Sequence, residues 1–443
     1  MKAKIIIFFC LALLLVSFFP MDFVAEVKAQ DEPDVFFGVH LGYGDVAETM
    51  TLIDRTSSFT NMILIGTSRL YYDAQKLTDG FQYAYDRGLY LMSFAPSLFH
   101  SDIGYSPRDE FLEYANLTWG DRILGFYAVD EPGGHILDGD VLSYWLDEGM
   151  PSSPAEAWQD FVFDLGRRLD TVRVSRLANW DYPVFTADYG LYWFDFRAGY
   201  DGLFAEFVAN YSRQLTVSLV RGAAMVQRKE WGVLIGWKYD CPPYLASGEE
   251  LFEDMVFAYE SGAKYILIYD ANEGWTEDIL QDEHLDAMQR FWQYVKDNPR
   301  GESLVSNRVA LVLPGDYGCG FRWPGDKLWG IWNQGLDSGT INLGISNMLE
   351  IYGENLDIIF DDGLSPYSTY GYGELVSWDD PLALPTPTPT ATPTPSPTAS
   401  PSLTPEPTSS PDNSFSIPLE VIIGIASIVI IIVVVLGFKL LRK

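Results

Sequence analysis

The residues best suited to chemistry are two adjacent acids, Asp130 and Glu131, which follow the apolar run 124–129 and precede Pro132 and two glycines. Because Pro and Gly-Gly cannot continue a strand, the two acids should stand where a buried strand ends and the chain emerges. Adjacent carboxylates at such a place are costly unless they bind or act on something. The pattern favours a functional role over a solvated Asp-Glu pair that opens a loop.

A second carboxylate lies within an apolar segment. Glu206 is flanked by Ala205 and Phe207 in the run 202–208, which has the composition of a core strand. An unpaired Glu there is expensive, so it should face an opening or a cation, and a purely structural pairing with Lys238 is the alternative. Two such carboxyls can cleave a glycosidic bond, since one protonates the leaving oxygen while the other attacks or activates water.

The elements that must position these acids are strand-like runs that alternate with amphipathic helical stretches. The predicted strands are residues 35–41, 62–66, 89–95, 124–129, 183–187, 202–208, 232–239 and 264–269. Eight strand–helix units with short connections indicate an α/β fold, the (β/α)8 TIM barrel. A barrel gathers the carboxyl ends of its strands at one mouth, so chemistry is expected there.

The strand ends and the loops after them supply further candidates. With Glu131 and Glu206 as catalytic carboxylates, the predicted substrate-binding residues are His40, Asp130, Asp188, Tyr189, Trp193, Trp237, Lys238, Asp240, Asp270 and Trp275. Aromatic rings stack on sugar faces and carboxylates bind hydroxyls, so the set indicates a carbohydrate partner. His40 more often serves a structural hydrogen bond to the backbone, and Asp270 can simply cap a loop. No metal-ligand spacing or phosphate-binding loop is present, so neither a metal nor another cofactor is expected.

The segment 125–132, which reads Gly-Phe-Tyr-Ala-Val-Asp-Glu-Pro, resembles the Asn-Glu-Pro motif at the fourth strand of retaining TIM-barrel glycoside hydrolases of the β-galactosidase and cellulase type. The resemblance implies that Glu131 is the acid/base, with Asp130 at the Asn position. That family takes its nucleophile from a Glu ending the seventh strand, where this chain offers only Asp240. Glu206 is better placed, and a carboxylate pair on the fourth and sixth strands also occurs among α-galactosidase-like barrels. The nucleophile, and with it a retaining or inverting outcome, stays open.

The remaining segments are assigned by composition. They are a signal peptide at 1–29, the barrel at 30–300, a small α/β extension at 301–382, a disordered Pro/Thr/Ser-rich stalk at 383–416, a transmembrane helix at 417–438 and a cytoplasmic tail at 439–443. The basic tail predicts an ectodomain outside the cell membrane. With 29 basic and 61 acidic residues the net charge is -32, which disfavours nucleic acid as a partner.

The extension is too short for a deep core of its own and should dock on the barrel. Its tryptophans, Trp323, Trp329 and Trp332, are interpreted as packing residues. Cys319 in its glycine-rich turn is predicted to approach Cys241, and whether the two form a disulfide stays open.

The leading hypothesis is therefore a cell-surface glycoside hydrolase that acts on an extracellular polysaccharide or glycan. The alternative is a barrel without catalysis that binds carbohydrate or contributes to a surface layer, because binding needs the aromatic residues but not the paired acids.

Overall fold

The computed structural model describes residues 33–94, 107–139, 149–173, 182–301, 307–333, 338–364 and 371–379. Eight parallel strands pair in chain order and close into a barrel, which confirms the predicted (β/α)8 fold. They are β1 (Phe36–Leu41), β2 (Met62–Ile65), β3 (Tyr90–Phe94), β4 (Ile123–Tyr127), β5 (Val184–Asp188), β6 (Gly202–Phe207), β7 (Glu230–Ile235) and β8 (Tyr265–Asp270).

Helices of the described residues follow the strands. They are α1 (Val46–Thr56), α2 (Ser68–Tyr71), α3 (Ala74–Asp86), α4 (Pro107–Trp119), α5 (Pro132–Asp138), α6 (Pro154–Arg173), α7 (Tyr192–Ala198), α8 (Arg213–Gln227), α9 (Gly248–Glu260) and α10 (Asp282–Asp297). Helix α1 begins with a capping box. The Asp45 side chain accepts from the Ala47 and Glu48 amides, and the Glu48 carboxylate accepts from the Asp45 amide.

The strands have two buried faces, and their side chains alternate between them. The barrel interior is filled by Phe36, Met62, Leu64, Met92, Tyr127, Phe185, Ala187, Phe204, Leu234, Tyr265 and Leu267. The intervening residues, such as Leu203 and Ala205, pack against the surrounding helices. Because side chains two apart on a strand share a face, Glu206 has the same orientation as Phe204 and lies at the carboxyl end of the interior.

The sequence predicts that β7 ends at residue 239, but in the structure it ends at Ile235. The chain turns away after Gly236, and the amides of Lys238 and Tyr239 both donate to the Tyr244 carbonyl, at 2.8 and 3.0 Å. Lys238 and Asp240 therefore belong to a loop that folds back on itself.

The extension contains a parallel three-stranded sheet and a helix. Strands β9 (Val309–Pro314), β10 (Leu356–Asp361) and β11 (Glu374–Ser377) pair in the order β10-β9-β11, and α11 spans Ser338–Tyr352. The extension packs on α8 of the barrel through β10. A Cβ at Gly222 of α8 would come within 2.3 Å of the Ile358 carbonyl oxygen. Only glycine permits so close an approach between the helix and β10.

A buried ion pair joins the extension to the barrel. Arg221 of α8 donates to Asp357 of β10 at 2.6 Å, and their side chains are 3% and 0% exposed. Tyr372 also donates to Asp357, at 3.0 Å, and the Arg221 guanidinium donates to the Glu354 and Leu356 carbonyls. The charges are thus accompanied by the further hydrogen bonds that a buried pair requires.

The predicted signal peptide, stalk and transmembrane segment lie outside the described residues. Of the helices that the structure describes, none is long and apolar enough to cross a membrane. Cys241 and Cys319 form no disulfide: both are free thiols, Cys241 on an exposed loop and Cys319 buried in the extension, and their predicted approach stays a prediction.

Removing one partner of the buried ion pair should strongly destabilise the protein. Asp357→Leu leaves the Arg221 charge buried without its carboxylate, so we expect the free energy of unfolding to fall by about 3–5 kcal/mol in urea denaturation. The matched control is Asp278→Ala, which breaks the exposed Arg55–Asp278 pair and should cost at most about 1 kcal/mol. Equal losses in the two variants would contradict the importance of this contact.

Candidate active site

Glu131 stands on a strained turn at the end of β4. Val129 and Glu131 have φ angles of 55° and 47°, in the left-handed region that β-branched and bulky residues avoid. Such conformations cost about 1–3 kcal/mol each and persist only where neighbours enforce them. Here Thr186 donates to the Val129 carbonyl at 2.5 Å, and the Glu131 amide donates to the Ala187 carbonyl at 3.1 Å.

Asp188 fixes the far side of the same turn. Its buried carboxylate accepts from the amides of Gly133 and Gly134 at 2.6 and 2.8 Å, and from those of Tyr189 and Gly190 at 2.7 and 3.1 Å. It therefore joins the end of β5 to the start of α5. Sequence reasoning assigns Asp188 to substrate binding, whereas the structure commits it to the backbone of the Glu131 turn.

The turn places Glu131 beside Glu206 of β6, where each carboxyl group acts on the titration of the other. Two ionised carboxylates repel, so we infer that the pair shares a proton. Glu206 is 6% exposed and Glu131 is half-buried. Among the ion pairs of the described residues none involves either group, and Lys238 pairs with Glu250 instead of Glu206.

Burial and neighbouring acids raise the pKa values of both members of this pair. Desolvation, followed by the charges of Asp130 and Asp188, raises the pKa of Glu131 to about 7. Desolvation and the charges of Glu131 and Asp130 raise the pKa of Glu206 well above its ordinary value. Since the two titrations are coupled, the proton belongs to the pair, which holds one acid and one carboxylate near neutral pH.

Asp130 lies beside the pair and is exposed to solvent. The Tyr127 hydroxyl donates to its carboxylate and in turn accepts from the Ala187 amide at 2.8 Å. Surrounding protein atoms raise the pKa of Asp130, while the Tyr127 hydrogen bond opposes the shift. Because Asp130 retains both solvent contact and this donor, we assign it as an ionised neighbour whose charge acts on Glu131.

A second acid pair lies beneath the site. Asp195 of α7 faces Asp188, and burial together with the Asp188 charge raises the pKa of Asp195 well above its ordinary value. Burial raises the pKa of Asp188 to about 7, and the four amide donors oppose this shift and favour its ionised form. We therefore assign the proton of this second pair to Asp195, whose carboxyl oxygens have no other partner among the described residues.

Aromatic residues of β1 and β8 and of the loops after β7 and β8 form one side of the mouth. Tyr269 lies 5.1 Å from the His40 ring and 6.1 Å from the Trp237 ring, measured between centroids. Trp275, which is 63% exposed, donates to the Tyr269 hydroxyl at 3.1 Å. Burial lowers the pKa of His40 to about 3, so its imidazole is neutral, and Nδ1 has no partner among the described residues. The structural hydrogen bond between His40 and the backbone that the sequence suggests is therefore not made by Nδ1 within the described part of the chain.

Tyr189 borders the site on the other side. Its hydroxyl donates to Asp138 at 2.6 Å, and the Arg322 guanidinium of the extension lies 5.4 Å from its ring centroid. The charges of Glu131 and Asp188 contribute, after burial and Asp138, to raising the pKa of Tyr189. The extension thus reaches the barrel mouth through Arg322.

Several predicted binding residues lie elsewhere. Trp193 is 1% exposed and donates to Asp362 of the extension at 3.0 Å, so it is a packing residue at the docked face. Asp270 accepts from the Ile279 and Leu280 amides at 2.7 and 3.2 Å and caps a loop, the alternative that the sequence left open. Asp240 is exposed on the folded-back loop after β7.

Sequence reasoning missed Tyr127, Tyr269 and Tyr211. Tyr127 and Tyr269 read as ordinary apolar strand residues, although both face the barrel interior with hydroxyls near the acids. The alternation of side chains along each strand was the available signal, since it groups residues by face. Using it requires knowing which of the two faces points into the barrel, as those of Phe185 and Phe204 do. No cluster of three or more metal-ligating side chains occurs among the residues that the structure describes.

The fold and the site together define a TIM barrel with a pair of interacting carboxyls at the carboxyl end of its strands. No protein-family model matches the sequence, and no curated protein matches it. Among solved structures, a GH5_18 protein from Streptomyces cattleya, in complex with Manb1-4GlcNAc, has a TM-score of 0.47 at 12% identity over 78% of this chain and 100% of that one. A GH30 endoxylanase from Clostridium papyrosolvens has a TM-score of 0.35 at 10% identity over 60% and 73%. A citrate synthase, SbnG, has a TM-score of 0.31 at 9% identity over 54% and 88%, so the likeness concerns the barrel and not an activity.

The buried acids predict that stability declines as pH rises. An Asp loses its proton near about pH 4 when unfolded, whereas folded Asp195 keeps it to higher pH. The stability from this proton is fully present below the unfolded pKa and is lost as pH rises towards the folded one, by about 1.4 kcal/mol per pH unit. Asp270 and Glu131, raised to about 6 and about 7, act in the same direction, whereas His40, lowered to about 3, acts in the opposite one.

Asp195→Asn should reduce this pH dependence, because the amide donates to Asp188 without titrating. In urea denaturation between about pH 5 and about pH 7, the variant should gain stability relative to the parent by up to about 1.4 kcal/mol per unit. Asp121→Asn, at an exposed acid, is the control and should run parallel to the parent. If the stability of Asp195→Asn and of the parent changed with pH in parallel, Asp195 would not hold the proton assigned to it.

Proposed function

We propose that this protein is a glycoside hydrolase. The observation that carries the proposal is the Glu131–Glu206 pair, two interacting carboxyls with raised pKa values at the carboxyl end of a (β/α)8 barrel. Glycosidic cleavage needs one carboxylic acid and one carboxylate on either side of the scissile bond. Aromatic residues beside the pair, among them Trp275 and Tyr269, suit the faces of sugar rings.

Glu131 is the proposed general acid and Glu206 the partner carboxylate. Bond cleavage transfers the Glu131 proton to the leaving oxygen while a Glu206 oxygen attacks the anomeric carbon, giving a glycosyl ester. Water then cleaves the ester, returns a proton to Glu131 and releases Glu206 as a carboxylate. Glu131 suits this exchange because its pKa, about 7, allows it to give and regain a proton near neutrality.

The retaining course is favoured by the closeness of the two groups. Inverting enzymes hold their carboxyls about 6.5–9.5 Å apart so that a water fits, and retaining enzymes about 5–5.5 Å apart. Two carboxyls that interact directly fit the shorter of these separations better, and a bound glycosidic oxygen must take the place of their mutual contact. Separation leaves the proton on one member, and the half-buried position of Glu131 makes it the more accessible donor.

His40 and Asp130 are proposed to bind the sugar that occupies the site. The His40 imidazole is neutral and 4% exposed, and its Nδ1 has no partner among the described residues. A buried polar atom without a partner is expensive, so a substrate hydroxyl that pairs with it gains the difference. Asp130 accepts from Tyr127 and keeps solvent contact, which leaves room for a second donor on its carboxylate.

Substitution of each acid tests the proposal. Against a panel of chromogenic glycosides and polysaccharides, Glu131→Gln should lower turnover of a cleaved substrate by roughly two to four orders of magnitude, because it cannot donate a proton. Substrates with good leaving groups need less protonation and should suffer less. Glu206→Gln should impair all substrates alike, and Glu253→Gln, at an exposed acid of α9, is the control.

Full activity in both active-site variants would refute the assignment of the pair. A parent that binds glycans but cleaves none of the panel would instead support a barrel that binds carbohydrate without catalysis. In such a barrel the contact between the two carboxyls would persist and leave no room for a glycosidic oxygen.

We also propose that the protein is anchored at the cell surface. The support is the apolar segment 421–438, the basic residues that follow it and the Pro/Thr/Ser-rich stretch before it. A chain ending at Pro411 should be released into the medium with its folding intact, because the removed residues belong to no described part of the fold. Retention of this truncated chain with the membrane fraction would assign the anchor to the N-terminal segment.

A further inference from the structure

Trp323 differs from the other tryptophans of the extension in its exposure. Trp329 is 0% exposed and packs against Phe161 and Phe194 at centroid distances of 5.7 and 4.7 Å. Trp323 is 46% exposed. The interpretation of both as packing residues therefore holds for Trp329 and not for Trp323. A large ring that a fold leaves in solvent beside a candidate site is a candidate contact surface.

The Trp323 ring is held in place by a charged support. The Arg322 guanidinium lies 4.2 Å from its centroid. Arg322 is itself fixed, since its side chain is 1% exposed and it pairs with Asp326 at 2.8 Å and with Asp138 at 2.6 Å. A ring positioned before binding loses little conformational entropy when a ligand covers it.

This support lies at the mouth, on the side of the catalytic pair. Asp138 ends α5, directly after the Glu131 turn, and Tyr211, after β6, has its ring centroid 6.4 Å from that of Trp323. Tyr211 and Arg322 line one small cavity with Tyr189. The Glu206 charge acts on Tyr211, where it contributes to a raised pKa after burial and the charges of Asp138 and Asp326.

Trp275 occupies a different sector of the rim. It lies on Tyr269 of β8, whereas Trp323 contacts Tyr211 after β6, and its neighbour Arg322 contacts Asp138 at the end of α5 and Tyr189 after β5. The Glu206 charge acts on Tyr269 as well as on Tyr211, so the acid pair lies within electrostatic reach of both aromatic sites. A glycan chain long enough to reach both tryptophans therefore spans the mouth that holds the acids.

We propose that Trp323 and Tyr211 form a sugar-binding subsite, built jointly by the extension and the barrel, for a unit of a glycan chain that continues beyond the catalytic pair. The inference rests on the proposed function and deepens it, because it assigns the substrate class: an oligosaccharide or polysaccharide cut within the chain. The subsite recognises the apolar face of a sugar ring by stacking, and the Arg322 charge beneath Trp323 fixes the orientation of that ring.

The test measures binding separately from cleavage, with the full chain in the Glu131→Gln background so that bound sugar is not consumed. The probes are hexasaccharides of β-1,4-linked glucose, mannose, xylose and N-acetylglucosamine, with the four monosaccharides beside them, titrated by calorimetry. Trp323→Ala should weaken the best hexasaccharide at least about tenfold, and Trp323→Phe, which keeps a ring, should recover most of the affinity. Phe163→Ala removes a still more exposed ring, on α6, and is the matched control.

The outcomes separate this inference from the function on which it rests. Weaker hexasaccharide binding in Trp323→Ala but not in Phe163→Ala supports the subsite, even where the parent cleaves none of the probes. A parent that cleaves a hexasaccharide which Trp323→Ala binds as tightly as the control overturns the subsite and leaves the hydrolase intact. No binding of any hexasaccharide, or equal affinity for hexasaccharide and monosaccharide, also overturns it.

Discussion

The acceptance of four backbone amides by the Asp188 carboxylate is the interaction on which the site depends. Two of the donors, Gly133 and Gly134, begin α5, so the contact fixes the chain directly after Glu131. Glu131 has a φ of 47°, a conformation that costs about 1–3 kcal/mol and would relax without such restraint. A carboxylate that receives several charge-assisted hydrogen bonds can supply that free energy. The orientation of the proposed acid thus follows from a second acid whose carboxylate is committed to the backbone.

This arrangement concentrates negative charge, and protons rather than cations relieve it. The cations near the mouth are committed elsewhere, since Arg322 pairs with Asp138 and Asp326, and Lys238 with Glu250. Glu131 therefore shares a proton with Glu206, and Asp188 with Asp195. The same raised pKa values that keep a general acid protonated also make the folded state depend on pH. Stability and the proposed catalysis therefore depend on the same kind of buried proton.

The barrel could be predicted from sequence because buried parallel strands and amphipathic helices leave regular patterns, and the strand ends identify Glu131 and Glu206. The roles of Asp188 and Asp270 could not, because a polar residue at a strand end points either to the mouth or to the helices. Asp188 follows Ala187, which faces the interior, and so lies on the helix side. The predicted binding role of Trp193 could not be assessed from sequence for another reason. Trp193 follows β5, as a residue of the mouth would, but its indole donates to Asp362 of the extension, which is distant in sequence.

The extension shows why composition cannot separate a packing tryptophan from a binding one. Trp323 and Trp329 lie six positions apart in one glycine-rich segment, and no local pattern distinguishes them. Their difference arises from what each meets: Trp329 meets the rings of Phe161 and Phe194, whereas Trp323 meets a guanidinium that two carboxylates already neutralise. A neutralised cation under one part of an indole orients the ring without covering it, so its remaining surface stays available. An aromatic ring that is both fixed and exposed binds a flat apolar ligand face with little loss of entropy, which favours a role in recognition over one in stability.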